Sequence, residues 1–85
     1  MVNAQSTLPA ELRGMSLDEL RWCIKQANLG KENTKIAKLR LIDQLHYADI
    51  AEIIHADRTT VSGRFRAILP LIVAQKTRKN IKHTT

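Results

Sequence analysis

Eighty-five residues, 44% of them hydrophobic but with Trp22, Tyr47 and Phe65 as the only aromatics, allow one small domain with a core of Leu, Ile, Ala and Val. The single cysteine, Cys23, excludes an internal disulfide, no apolar run approaches the roughly 18 residues of a membrane span, and the start "MVNAQSTLPA" lacks the basic opening and apolar stretch of a signal peptide, so a cytoplasmic protein is expected. The net charge of +6 is uneven: residues 1–30 carry three basic and three acidic side chains, residues 31–85 eleven basic and five acidic, a balance that suits a polyanionic partner.

Residues 1–15 read as a mostly flexible segment, with one short turn after Pro9 and with Leu8, Leu12 and Met15 able to fold back on a core. The first helix begins after Ser16. "SLDE" is a capping box, in which Ser16 accepts from a free backbone N–H and Glu19 reaches back. Leu17, Leu20, Ile24 and Ala27 fall on one stripe with Cys23 beside it, Trp22 points elsewhere, and Gly30 is a natural stop, so the helix is expected over 17–29. A second helix is expected over 33–44, with Asn33 as its cap. It is apolar on two sides: Ile36, Leu39 and Ile42 form one face, and Ala37, Leu41 and Leu45 the other. Such a helix belongs at the centre of a small bundle.

Ile50, Ala51, Ile53 and Ile54 give a short third helix over 47–54. His55 and Ala56 interrupt it, and Asp57 caps a fourth. There Val61, Phe65, Ile68, Leu69 and Ile72 line one face. Pro70 is expected to kink or end that helix near 74. Residues 76–85, with Lys76, Arg78, Lys79 and Lys82 and no acid, read as a basic flexible tail. The expected fold is therefore all-α: a small bundle of about four helices over 16–75.

Two short helices joined by a three-residue turn, the second longer and basic, describe a helix-turn-helix. Ala51 is small where the motif's helices cross closest, and Val61 follows it by ten positions as the core residue of the second helix.

"KIAKLRLIDQLHYADIAEIIHADRTTVSGRF" resembles region 4 of the sigma-70 family, with the likeness covering about 33–72. Ile36 and Leu39 fit the family's first apolar pair, Ile50 and Ala51 its "IA", Thr60 and Val61 its "TV", and Arg64 and Phe65 its basic-apolar pair. "ADRTTV" is also similar to the turn of resolvases, invertases and transposase heads. His55 stands where the family often has glycine at positive φ, which His tolerates. His46 stands where the family often has a Ser or Thr cap. The resemblance implies double-stranded DNA as partner. The chain has no room for the domains by which sigma factors melt promoters and grip polymerase, so a stand-alone DNA-binding domain is expected.

Gly63 raises a question that this reading answers. A glycine inside a helix costs about 1 kcal/mol relative to alanine. On a helix starting at Arg58, the side opposite Val61, Phe65, Ile68 and Ile72 carries Thr59, Gly63, Arg66 and Ala67, with Thr60 and Ser62 at its edges. A major groove admits a helix whose leading face is not bulky. The recognition helix is thus placed at about 58–69. Arg58, Thr59, Thr60, Ser62, Gly63 and Arg66 are the expected base-reading residues, and Arg64, Lys76, Arg78 and Lys79 the expected phosphate contacts.

No chemistry competes with binding. His46, His55, His83 and Cys23 lack metal-ligand spacing. Asp49, Glu52 and Asp57 suit helix starts, and no nucleophile–base pair is visible. No catalytic residue, metal or cofactor is expected. A transcription regulator follows. Its alternatives are an adaptor docking to RNA polymerase and a DNA-targeting accessory of a mobile element. A homodimer is an expected partner, since one recognition helix reads few bases; Trp22, Leu71 and Val73 are candidates for its surface.

Overall fold

The computed structural model describes the backbone of residues 8–84 and the side chains of residues 8–78. A 3₁₀ turn at Ala10–Leu12 is followed by four helices: α1 (Leu17–Gln26), α2 (Lys31–Leu41), α3 (Tyr47–Ile54) and α4 (Arg58–Thr84). There is no strand among the described residues, so the all-α bundle expected from the sequence is the fold.

Helix α1 starts with the full capping box. The Ser16 hydroxyl accepts from Glu19 N–H at 3.1 Å, and Glu19 Oε1 accepts from Ser16 N–H at 2.9 Å. Its inner face is Leu20, Cys23 and Ile24. Leu17, expected on that stripe, is 49% exposed, because it lies in the first turn beyond the reach of the core. The helix ends at Gln26 rather than 29. Asn28 takes φ 54, a left-handed conformation that stops helix propagation.

The turn also revises the start of α2. Gly30, with φ 90, is the N-cap of α2 and not the stop of α1, and Asn33 lies inside the first turn and not at the cap. Glycine adopts that φ without steric cost, so the helix begins two residues earlier than expected. At its other end, left-handed Gln44 (φ 56) lets Leu45 N–H reach Leu39 O at 3.0 Å.

Core positions on α2 are Ile36, Ala37 and Leu41, with Leu39, Ile42 and Leu45 half-buried against them. Helix α2 packs on α1, α3 and α4. Helix α4 packs on the other three, through Val61, Phe65, Ile68 and Ile72.

Two expectations at the chain ends are corrected. Of the segment 1–15, residues 1–7 lie outside the described residues. From residue 8 onward the chain is anchored: Leu8, Leu12 and Met15 are buried in the core, and Arg13 Nε donates to Leu8 O at 3.2 Å. At the other end, α4 continues past Pro70 to Thr84, so 76–84 is helix and not a flexible tail. Pro70 and Arg66 are both exposed. The Arg66 carbonyl that Pro70 leaves unpaired is therefore on the wetted side, while Ile68 and Ile72 hold the inner side together. Gln75, Lys76 and Arg78 are good helix formers and sustain the extension. Lys76 Nζ also donates to Glu11 O, fastening α4 to the 3₁₀ turn.

Candidate nucleic-acid interface

The α3–α4 unit is built from its turn outward. His46 is the N-cap of α3 and makes no side-chain capping bond. At the other end His55 takes φ 58 and ψ 50, the positive φ expected there, and Ala56 N–H bonds to Ala51 O at 2.9 Å. Three residues, His55 to Asp57, separate the helices. Asp57 then opens α4, its carbonyl accepting from Val61 N–H at 3.0 Å. Inside the corner Ile50 and Val61 are fully buried and Ala51 is 6% exposed. A small residue between two helices that pack this extensively permits their close approach.

A stack of three side chains holds this corner to α2. The Arg40 guanidinium carbon lies 4.3 Å from the centre of the Tyr47 ring, and Arg40 Nη1 donates to Leu45 O at 2.8 Å. The Tyr47 ring in turn lies 6.1 Å from that of Phe65, tilted by 54°. Cation–π and edge-type aromatic contacts each contribute about 0.5–1.5 kcal/mol. Together they couple α2, α3 and α4, and so set how the start of α4 is presented.

The structure brings most of the expected base-reading residues onto one open face. Thr59, Gly63, Arg66 and Ala67 are exposed on that side with exposed Thr60 at its edge, while Arg58, also exposed, stands in the first turn away from its centre. Nothing lies within 4 Å of where a Cβ on Gly63 would stand. The glycine is therefore not required by any neighbour inside the fold. Ser62 is half-buried, and its hydroxyl donates back to Thr59 O at 3.2 Å, which leaves its oxygen lone pairs for a further partner. Arg66 also lines a hollow with Glu11 and Pro70. The first turn of α4 carries no acidic residue.

The expected phosphate contacts fare differently. Arg64 is paired: its Nη1 lies 2.7 Å from Glu32 Oε1 on α2. Lys76 is tied to Glu11 O as described, and Arg78 Nη1 bonds Gln75 Oε1 at 3.2 Å on its own helix. The Lys79 side chain lies outside the described residues. Arg78 is exposed on the continuation of α4, not on a free tail.

One basic cluster escaped the sequence reading. Arg21 and Lys25 on α1 meet Lys31 and Lys38 on α2 around a groove of about 590 Å³. In the sequence, Arg21 and Lys25 belong to the electrically neutral first thirty residues. The signal that could have found them is helical spacing: 21 and 25, and 31, 35 and 38, each share one face.

Cys23 is buried, and no group of three or more His, Cys, Asp or Glu gathers among the described residues. No helix among the described residues is long and apolar enough to cross a membrane. Comparison with known proteins returned no matching family model, no matching curated protein and no matching solved structure.

Proposed function

We propose that the chain binds double-stranded DNA sequence-specifically through a helix-turn-helix formed by α3 and α4, and acts as a small transcription regulator. The observation that carries this is the outer face of α4 around Gly63: polar, small, exposed, and bare of any contact that would explain the glycine. A major groove about 12 Å wide admits a helix, and a glycine at the centre of the leading face lets the backbone come close to the bases. Arg58, Thr59, Thr60, Ser62 and Arg66 supply donors and acceptors for base edges there. The family resemblance over 33–72 supports the same reading.

A second reading rests on Leu71, which is 50% exposed four residues beyond Ala67. An exposed leucine near the reading face favours a protein partner, either a second copy or RNA polymerase. Trp22 and Val73, the other surface candidates, pack against the core and offer less. Selection of bound fragments from a pool of random duplexes tests the choice. Enrichment of one motif is expected. A pool that stays random through successive rounds, with the protein folded, overturns sequence-specific reading and leaves the protein-partner role.

A further inference from the structure

We propose that the groove between α1 and α2 is a second contact for the phosphate backbone, so that a bound duplex continues from the recognition helix across α2 and into that groove. The proposal rests on the DNA-binding reading above and adds to it a surface outside the helix-turn-helix.

Charge is the first support. Arg21, Lys25, Lys31 and Lys38 line one concavity, and no acidic residue does. Among the described residues, Arg21 alone of these four has an acidic partner, the highly exposed Asp18 at 3.9 Å. Glu32, the acid at the start of α2, is already engaged by Arg64. The cluster therefore keeps its positive charge.

Lys25 and Lys38 suit the last turns of their helices, but the spacing of the cations along each helix works against the fold. Arg21 and Lys25 are i and i+4 on α1. Lys31 and Lys35 are i and i+4 on α2, and Lys35 and Lys38 are i and i+3. Like charges at those spacings weaken a helix. A concave site lined by one sign of charge instead concentrates counter-ions and polyanions.

Continuity with the reading face is the second support. Lys31 and Lys35 also line the neighbouring hollow that ends at Ile54 and His55. His55 opens the turn that leads into Arg58 and α4. Glu32, paired with Arg64, also lines that hollow, and Asp43 lines a further one with Lys31, Lys35 and Lys38, so cations outnumber acids along a path from His55 to α1 without excluding them. A phosphate track beside a recognition helix fixes register and orientation without reading sequence.

The test uses the full chain and a 40-bp duplex of random sequence, so that no operator need be known. Lysine acetylation rates are read by mass spectrometry with and without the duplex. Lys25, Lys31 and Lys38 are expected to react at least threefold more slowly when the duplex is bound. Alongside, Lys25→Gln/Lys31→Gln/Lys38→Gln is expected to lower the slope of log affinity against log salt by about 2.7, at about 0.9 per phosphate contact. A bound duplex that leaves those three lysines reacting as in the free protein overturns the proposal. Failure to bind any duplex at low salt overturns it together with the DNA-binding reading. Protected lysines with undiminished binding by Gly63→Gln would uphold the groove and remove the recognition face.

Discussion

Arg64 on α4 and Glu32 on α2 form an ion pair at 2.7 Å, with side chains 47% and 59% exposed. The pair ties α4 to α2, the helix before the proposed motif, and it occupies the arginine expected to meet phosphate. Exposed pairs contribute little to stability, about 0–1 kcal/mol. Their removal is therefore read better in binding than in melting.

Glu32→Gln is expected to release Arg64 and remove one negative charge beside the face proposed to read DNA. Duplex affinity should rise at low salt, and the log–log salt slope should steepen by about 0.9, one phosphate contact. The melting temperature should stay within a few degrees. An unchanged slope would show that Arg64 cannot reach phosphate even when free.

Ala51→Leu tests the corner that presents α4. Ala51 is buried beside Ile50 and Val61, where α3 and α4 pack most extensively. The added atoms have no space without moving a helix. A cost of about 1–3 kcal/mol is expected, read as a lower denaturation midpoint in urea. A midpoint equal to that of the parent would place the closest approach of the two helices elsewhere.

Pro70→Ala tests the length of α4. Proline in a helix interior is about 3 kcal/mol less favourable than alanine, an upper value where the strained carbonyl faces water. If the helix runs unbroken through position 70, as the structure shows, alanine restores an N–H for the Arg66 carbonyl. Thermal stability and helical circular dichroism should both increase. A variant no more stable or helical than the parent would mean that the helix does not depend on continuity there.

Legibility in the sequence follows the range of the forces involved. Ser16 with Glu19, and the apolar series Val61, Phe65, Ile68 and Ile72, are local patterns, and both appear as read. The helix ends were misplaced where the deciding feature was backbone conformation. Asn28 turned left-handed and moved Gly30 from a stop to a cap. Leu8, Leu12 and Met15 were legible as apolar residues able to fold back on the core, and they are buried there, whereas the bond from Lys76 to Glu11 O across sixty-five positions depends on tertiary packing that no window of sequence contains. The same holds at the candidate site. The exposed series around Gly63 follows from helical periodicity, whereas the pairing of Arg64 with Glu32 and the meeting of Lys25 with Lys31 and Lys38 follow only from how the helices dock.

Gly63 allows stability and binding to be separated. A side chain added there meets nothing within 4 Å, so Gly63→Gln introduces no clash. Glutamine is a good helix former, and the isolated fold should gain about 0.5–1 kcal/mol. The same side chain stands in the middle of the face proposed to enter the groove, so affinity for the selected duplex should fall tenfold or more. Arg66→Ala is the companion: Arg66 is exposed, so stability should barely change, while loss of a base contact should cost about 1–3 kcal/mol of binding. Thermal melts and binding titrations on the same samples distinguish three cases. A Gly63→Gln variant that is less stable would mean that the glycine serves the backbone. One that is more stable and binds equally well would mean that this face does not meet DNA. Only the stabler, weaker-binding variant agrees with a recognition helix whose slim face is kept at the expense of its own stability.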